Sequence, residues 1–544
     1  MICPLVFRVV RLLIILAVGV FLAPAAMAAK AGKKSKELEV TGPVVGLSAF
    51  EVKAESMEFS HWRKVSSPHF VLYTDASAKE ATKLVRQMEM MHQAVAFYLK
   101  RRNLKMPPMI VVLPQGRSDW RKFNSLGSVE WEVATSMVGE VRDLMLAEYE
   151  WSDDMQPVWS MLAIRGARNV NVTGPLWFGR GLQRFFGTVI FKGDVITLGK
   201  QGADAFWIRK YGWMEWPRFF AVTPSSPEFV KDIDDQKVYE GQCGVFGHHI
   251  LTHADPTMVP RLLQWAAYLD AGNAPTEEAF RGIFQHGFKE WQKQISDMLD
   301  GGRYVTGTIK FPPAALQFDM VNASVGAREM RELFVLSQIM NQRRKESDEA
   351  LDSLLARGLK TESLKELLAD ACERRGRKDQ ELELLRELIE EGSTNPKVYG
   401  RAAGLAMQRS MQGNRLDAKL GDEVGEIRDW CNKALAIEPL YAEANEVLAW
   451  AEALAPVVER RNQEVIVAIC RRLDGNAKTD IALTALATSR LRMNQFKQAR
   501  SLAEMIKNSP LSRASAKEMA DAILAKVDAA ATGQQAEAAG KSGS

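Results

Sequence analysis

The spacing of apolar residues divides the chain into an N-terminal part with strands and helices and a C-terminal part with helices alone. In the N-terminal part, residues 69–74 and 109–113 are short apolar runs rich in β-branched and aromatic side chains, which is typical of buried strands. Residues 79–102 between them place apolar side chains along one face of a helix. Residues 136–149 and 188–198 each predict a pair of short strands, so this part belongs to the α+β class.

From about residue 327 to residue 528, helix follows helix with short polar breaks between them. Helical spacing covers the segments 363–377, 380–391, 396–410, 422–437, 441–454, 457–473, 481–493 and 498–507. Pro439 and Pro510 close two similar junctions and stand 71 residues apart, which is about two periods of a tetratricopeptide repeat. We therefore predict an all-α, tetratricopeptide-like domain of helical repeats. An irregular helical bundle is the alternative, because residues 412–421 interrupt the pattern.

The N-terminal 28 residues have the layout of a secretory signal peptide. Arg8 and Arg11 precede the apolar run 12–22, and small residues follow up to Ala28, where we expect cleavage. An uncleaved membrane anchor is the alternative, although the apolar run is short for a span. We therefore expect an exported protein, periplasmic or extracellular in a bacterium, that has no membrane span after cleavage.

Shifts in composition set the remaining boundaries. The stretch after the predicted cleavage site begins with lysines and small residues and predicts a flexible lead-in. The last residues are rich in Ala, Gly, Gln and Ser and predict a disordered tail. The expected order is signal peptide 1–28, lead-in 29–60, α+β domain 61–300, linker 301–326, helical repeats 327–528 and tail 529–544.

Charge and cysteine content narrow the classes of partner and chemistry. The net charge of +4 on 544 residues gives no reason to expect a nucleic acid partner. The cysteines of the mature chain are widely spaced and form no Cys-x-x-Cys motif, which favours buried free thiols and leaves one disulfide possible. These cysteines are Cys243, Cys372, Cys431 and Cys470.

The most distinctive stretch is residues 157–187, where two predicted helices flank a polar loop and the second helix opens at Pro175. Residues 175–186 read Pro-Leu-Trp-Phe-Gly-Arg-Gly-Leu-Gln-Arg-Phe-Phe. This stretch resembles the segment Pro-x-Trp-Leu-x-Glu-Gly-Leu-Ala-Glu-Tyr-Phe of peptidase-MA-like, gluzincin-type metallopeptidase domains. The order of predicted elements is similar to that family over about residues 61–300. The resemblance therefore implies a gluzincin-like α+β domain there.

The residues that carry the family's chemistry differ in this chain. In that family the first Glu of the segment is the third zinc ligand, and a His-Glu-x-x-His helix lies upstream. Arg180 stands at the third-ligand position, and a guanidinium group carries only donors, so it cannot bind zinc. The resemblance thus implies a degenerate site without catalytic residues, metal or cofactor. Its positions are Trp159, Ser160, Ala163, Trp177, Arg180 and Gly181.

Two other groups of residues are candidates for a site, and the first contains histidines. His249 and His253 stand four apart in a predicted helix, and together with His286 they form an alternative metal site. Position 250 is Ile, so the pair lacks the Glu that would act as a base, and packed or surface histidines are the simpler interpretation.

The second group consists of four arginines. They could form a pocket for an anion, such as a peptide carboxylate, where the family has its metal. Arg165 and Arg168 are three apart on the first motif helix, and Arg180 and Arg184 are four apart on the second, so each pair can share a helix face. Guanidinium groups bind carboxylates through two parallel hydrogen bonds. The alternative is that these arginines are solvated or paired with nearby acidic side chains.

Together these features favour an exported, non-catalytic pseudo-peptidase whose helical repeats bind a peptide or protein. Arrays of helical hairpins expose a concave surface suited to extended segments. The alternative function is a metal-dependent hydrolase or peptidase with displaced, non-standard ligands.

Overall fold

The structure of the protein is a computed structural model. It describes residues 48–116, 123, 134–147, 155–200, 202, 204–227, 233–301, 304–341, 345–411, 416, 418–473 and 479–541. The predicted signal peptide and the first part of the predicted lead-in lie outside these residues.

Among the described residues, the first part of the chain combines nine strands with ten α-helices and one short 3-10 helix, Pro313–Leu316. In chain order its elements are α1 (Ala49–Glu55), β1 (Arg63–Ser66), β2 (Phe70–Thr74), α2 (Ala78–Tyr98), β3 (Met109–Val112), β4 (Ala134–Met137), β5 (Leu144–Ala147), α3 (Gln156–Asn169), α4 (Leu176–Gly187), β6 (Ile190–Lys192), β7 (Val195–Leu198), α5 (Asp204–Tyr211), α6 (Trp216–Ala221), α7 (Ile233–Leu251), α8 (Met258–Asp270), α9 (Glu277–Phe284), α10 (Phe288–Asp300), β8 (Gly307–Lys310) and β9 (Val321–Ser324). The α+β class predicted for this part is confirmed.

The strands form two sheets. The larger sheet has the order β4-β5-β3-β2-β1-β9, and the smaller one has the order β6-β7-β8. In the larger sheet β2, β3 and β5 run parallel, while β4, β1 and β9 pair antiparallel at its two sides. Because successive side chains on a strand point to opposite faces, the central strands bury apolar residues on both sides of the sheet.

One face of the large sheet packs against helices of its own part, and the other packs against helices from the C-terminal part. Leu72 and Val111 lie in the core formed with α2 and α3. Tyr73 and Val112 lie in a core that also contains Met330, Leu351 and Leu367 of the C-terminal helices. The sheet is therefore the middle layer between two sets of helices.

The C-terminal part consists of helices alone. They are α11 (Ala327–Asn341), α12 (Lys345–Arg357), α13 (Glu362–Arg374), α14 (Lys378–Glu390), α15 (Pro396–Ser410), α16 (Val424–Ile437), α17 (Ala442–Ala453), α18 (Arg460–Arg472), α19 (Thr479–Arg492), α20 (Phe496–Asn508) and α21 (Ala514–Lys541). Each helix packs against the next one along the chain. In addition α11 packs on α13, and α15, α17, α19 and α21 pack on one another in succession. The result is a row of stacked helical pairs.

The turn between β4 and β5, residues 138–143, is inserted among these helices. Val141 at its tip is fully buried in their core. Asp370 of α13 accepts hydrogen bonds from the backbone N–H groups of Val141 and Arg142 at 2.9 and 2.8 Å. The Arg142 guanidinium forms an ion pair with the buried carboxylate of Glu366. The described parts of the chain consequently share their cores and belong to one compact unit.

Three segments predicted to lack structure contain ordered elements. The predicted linker 301–326 contributes β8 and β9, which pair with β7 and β1 and so extend both sheets. The predicted lead-in contains α1, which Ser48 and Glu51 begin with a capping box, and Phe59 beyond it lies in the core. In the predicted tail, the backbone of α21 remains helical to Lys541. The sequence pattern did not reveal β8 and β9, because four-residue strands depend on distant partners.

Among the described residues, no helix combines the length and the apolar character that crossing a membrane requires.

Candidate functional site

The candidate site lies where α3, α4, α5 and α7 meet. The loop between α3 and α4 turns at Asn171, whose backbone has a φ of 60°, and α4 then begins after Pro175. Two glycines let α4 approach α7 closely, since a Cβ atom placed on Gly247 would lie 3.0 Å from the Cα atom of Gly181. This close crossing brings the polar side chains of α7 beneath those of α4.

A cavity of about 470 Å³ opens between these helices. Its wall combines charged groups, amide side chains and an apolar rim. The lining residues are Gln156, Pro157, Ser160 and Met161 of α3, Arg180, Gln183 and Arg184 of α4, Trp207 of α5, and Ile233, Gln236, Lys237 and Glu240 of α7.

Glu240 lies between the two arginines of α4. The Nε atom of Arg180 is 3.3 Å from Glu240 Oε1, and the Nε atom of Arg184 is 3.3 Å from Glu240 Oε2. Arg184 Nη1 also lies 3.6 Å from Asp204 Oδ1, and its guanidinium stacks over Trp207. Charge-assisted hydrogen bonds usually measure about 2.7–2.9 Å, so Glu240 and Asp204 hold these arginines loosely.

Asp204 titrates near physiological pH. Burial raises the pKa of its carboxyl group to about 6, and the charge of Glu240 adds to the rise while that of Arg184 opposes it. The Asp204 side chain packs directly against Gly244 of α7. A larger residue would not fit there, because a Cβ atom on Gly244 would lie 2.1 Å from Asp204 Oδ2. Protonation of Asp204 would therefore release Arg184 from one of its two carboxylate partners.

The six positions of the degenerate site do not all face the cavity. Ser160 and Arg180 line it. Trp159 packs against Phe191, with ring centroids 4.9 Å apart. The other three positions serve packing: two are buried in the core, and one forms the helix crossing described above. They are Ala163, Trp177 and Gly181.

The sequence interpretation missed the residues that α5 and α7 contribute to the wall. Glu240 and Lys237 belong to a helix whose apolar pattern indicates only a packed bundle. Asp204 and Trp207 lie in a short helix that the apolar pattern does not mark. The glycines near Glu240 were a weak signal of close helix packing at this place. Gly241 and Gly244 are two of them.

The four arginines considered as an anion pocket divide between two places. Arg180 and Arg184 line the cavity described above, whereas Arg165 and Arg168 line a second cavity near the C-terminal helices. Arg165 is buried and forms an ion pair with Asp143. The structure thus brings one pair of arginines to the candidate site and places the other pair elsewhere.

Of the candidate metal ligands, His249 lies on α7, whereas His253 lies beyond the end of this helix at Leu251, so the prediction that one helix holds both is wrong. The His249 ring lies 5.4 Å from that of His253 and perpendicular to that of Trp291 at 5.0 Å. Burial, aided by His253, lowers the pKa of His249 to about 4. His286 lies apart from this pair in its contacts, with Nδ1 3.7 Å from Glu290. In the part of the chain that the structure describes, no group of three His, Cys, Asp or Glu side chains could hold a metal ion.

The cysteines among the described residues are free thiols. Three are buried in helix packing, and the fourth is half-buried. Burial raises the pKa of Cys243 well above its usual value, and the nearby charge of Glu240 adds to this effect. A thiol held protonated in this way is a poor nucleophile.

The side chains of the cavity suit a ligand that carries an anionic group next to an apolar group. Arg184 carries N–H donors beyond those on Nε and Nη1 that contact Glu240 and Asp204. Met161, Trp207 and Ile233 supply an apolar rim, and Ile233 is 69% exposed. No protein-family model matches this chain, and a search of curated proteins finds no match either.

Proposed function

We propose that the chain is an exported, non-catalytic relative of gluzincin-type peptidases that binds an acidic peptide segment in the cavity between α3 and α4. The observation that carries the proposal is the loose Arg180–Glu240–Arg184 arrangement at the position where such a peptidase would hold its metal. A peptide carboxylate can accept hydrogen bonds from the N–H groups of Arg184 that do not contact Glu240 or Asp204.

The resemblance to the peptidase family supports the location of this site. The two motif helices, α3 and α4, would hold the zinc ligands in a gluzincin. Here Pro157, Ser160 and Met161 face the cavity from α3, and none of these residue types is a usual zinc ligand. Arg180 faces the cavity from α4, and in the proposed relationship it replaces the third zinc ligand by a cationic group.

The stacked C-terminal helices support the second element of the proposal, a tetratricopeptide-like scaffold for a peptide or protein partner. The turn at residues 138–143 illustrates what these helices recognise. Asp370 accepts two consecutive backbone N–H groups, and Lys397 and Asn395 donate to the carbonyl oxygens of Gly139 and Val141 at 3.0 and 3.2 Å. In the proposed scaffold, side chains of the same kind on the open helix faces would bind the backbone of a partner segment.

Titration of an acidic peptide, alternating Glu and Leu with a free C-terminus, tests the cavity. We expect binding to the purified protein and weaker binding to Arg184→Ala, since one charge-assisted hydrogen bond is worth about 1.5–3 kcal/mol. Arg281→Ala is the matched control, because Arg281 is exposed on α9 and pairs with Glu277 away from the cavity. Equal affinity in all three proteins, or absence of binding, would contradict the proposal.

A further inference from the structure

A second cavity, of about 210 Å³, lies between the sheet part of the molecule and the C-terminal helices. One side comes from the turn after β4 and from the end of α3. The other side comes from α15, the start of α17 and the end of α18. The charged and amide residues in its wall are Glu140, Asp143, Arg165, Arg168, Asn169, Asn171, Lys397 and Glu443.

Part of the charge in this wall is neutralised internally. Asp143 forms ion pairs with Arg165 and, at 3.8 Å, with Lys397. It also accepts a hydrogen bond from the backbone of Gly139 at 3.2 Å. Burial would raise the pKa of Asp143, but the neighbouring cations outweigh burial and hold this pKa below its usual value. These three side chains therefore remain charged and partly neutralise one another.

The other charged groups of the wall lack such partners. Arg168 and Glu140 are exposed and form no ion pair with any residue that the structure describes. Glu443 accepts a hydrogen bond from Tyr441 Oη at 2.5 Å, and within the described residues it too has no ion pair. Burial raises the pKa of Glu443, and the charge of Glu140 raises it further. Apart from Asp143 and its two cationic partners, the wall thus offers the exposed cation Arg168 and two carboxylates that repel each other. The charges of Arg401 and Lys397 offset only part of the effect on Glu443, whose pKa stays raised.

A buried amide next to these groups is also unsatisfied. Asn169 lines the cavity and is 3% exposed, and its Oδ1 atom has no hydrogen-bond partner among the described residues. An unpaired buried acceptor costs about 1–3 kcal/mol, so such an atom in a cavity wall indicates a missing donor.

We propose that this cavity binds a small zwitterion, a free amino acid or a dipeptide. The ligand's carboxylate would pair with Arg168, and its ammonium group would lie between Glu443 and Glu140. An ammonium group there removes the repulsion between the two carboxylates, and its three N–H donors can supply unsatisfied acceptors. The apolar part of the ligand would contact the apolar residues that complete the wall, Leu104, Met106 and Val138.

The site is independent of the acidic-peptide cavity, because the two share no lining residue. Binding here would join the turn after β4 to α17, since the ligand contacts groups from both. We expect a zwitterion to raise the melting temperature of the protein through preferential binding to the folded state.

Calorimetric titration with the twenty amino acids and dialanine tests the proposal, with acetate and methylamine as probes of each charge alone. At least one zwitterion should bind, and acetate and methylamine should bind at least about tenfold more weakly, as expected when one charged contact is lost. Arg168→Ala and Glu443→Gln should each lower the affinity for the zwitterion by a similar factor. Arg461→Ala and Glu464→Gln are matched controls, since both residues lie exposed on α18.

Arg168 is exposed, so its replacement leaves the fold intact even if Glu443→Gln does not fold. Acetate binding as tightly as the zwitterion would make the cavity a simple anion site, and equal binding of methylamine would make it a cation site. Either result overturns the proposal, as does the absence of binding by every probe. Arg184→Ala should leave zwitterion binding unchanged, which separates this site from the acidic-peptide cavity.

Discussion

At the scale of single residues, two carboxylates share the Arg184 guanidinium in the candidate site. Protonation of one of them changes the charge around this arginine. Arg184 is shared between Glu240 and Asp204 at distances of 3.3 and 3.6 Å. Neither contact is short, and Asp204 has a pKa of about 6 because it is buried. The affinity of the cavity for an anion should therefore depend on pH.

We expect the acidic peptide to bind several-fold more tightly at pH 5.5 than at pH 7.5. As the pH falls through about 6, Asp204 gains a proton and its negative charge disappears, so Arg184 keeps only Glu240 as a partner and attracts the ligand more strongly. Calorimetric titration at both pH values measures the change. Asp204→Asn should bind at pH 7.5 as the wild type does at pH 5.5. A wild-type affinity that is the same at both values, or that rises with pH, would exclude this role of Asp204.

The histidines at the end of α7 and just beyond it lead to a prediction about metal content. His249 and His253 are neighbours, but a protein zinc site uses three or four ligands, and His286 contacts Glu290 instead. Protein purified without chelator should contain less than about one-tenth of a zinc ion per chain by elemental analysis. Near-unit zinc that is lost in both His249→Ala and His253→Ala would instead support the metal-dependent hydrolase.

At the scale of helices and strands, elements marked by local chemistry were predictable from the sequence. The helix predicted for residues 396–410 has the observed bounds of α15, because Asn395 caps it and Pro396 fits the first helical turn. The helices α3 and α4 and the strand pairs at β4–β5 and β6–β7 also agree with their predictions.

Elements whose stability comes from distant partners were not predictable in the same way. All four residues of β9 are exposed, and the strand forms because its backbone pairs with β1, which lies far earlier in the chain. The wall of the candidate site has the same limitation. Arg180 could be identified from a sequence motif. Glu240 and Asp204 come near the arginines of α4 only because α7 and α5 pack there.

The crossing of α4 and α7 predicts the effect of adding a single methyl group. Gly247→Ala would place Cβ 3.0–3.1 Å from the backbone of Gly181, which cannot rotate away as a side chain could. We expect the free energy of unfolding to fall by about 1–3 kcal/mol, the usual cost of overpacking. Urea unfolding measures this loss.

Gly282→Ala is the control for that experiment, because a Cβ at this position in α9 has no atom within 4 Å apart from its chain neighbours and the adjacent backbone of its own helix. Alanine is a better helix former than glycine by about 1 kcal/mol, so this variant should be unchanged or more stable. If Gly247→Ala is as stable as the wild type, α4 and α7 do not need their close contact to fold.

At the scale of the whole molecule, the sheet part and the C-terminal helices are joined at several places. α11, α12 and α13 cover one face of the large sheet. The buried carboxylate of Glu438, at the end of α16, accepts hydrogen bonds from the backbone N–H of Lys105 at 2.8 Å and from the Arg102 guanidinium at 2.6 Å. A partner protein can therefore use only the surfaces of the helices that these contacts leave open.

This joining changes the expectation for separate fragments of the chain. The shift in sequence pattern near residue 327 predicts that residues 327–528 fold alone. The shared core argues otherwise, because a fragment starting at Ala327 would expose the apolar face of α11–α13 that includes Leu333, Phe334 and Leu367. We expect residues 327–541 expressed alone to bind a hydrophobic dye and to unfold without a sharp transition, while residues 48–541 unfold cooperatively. A fragment that stays monomeric and melts sharply in circular dichroism would show that the helices need no sheet beneath them.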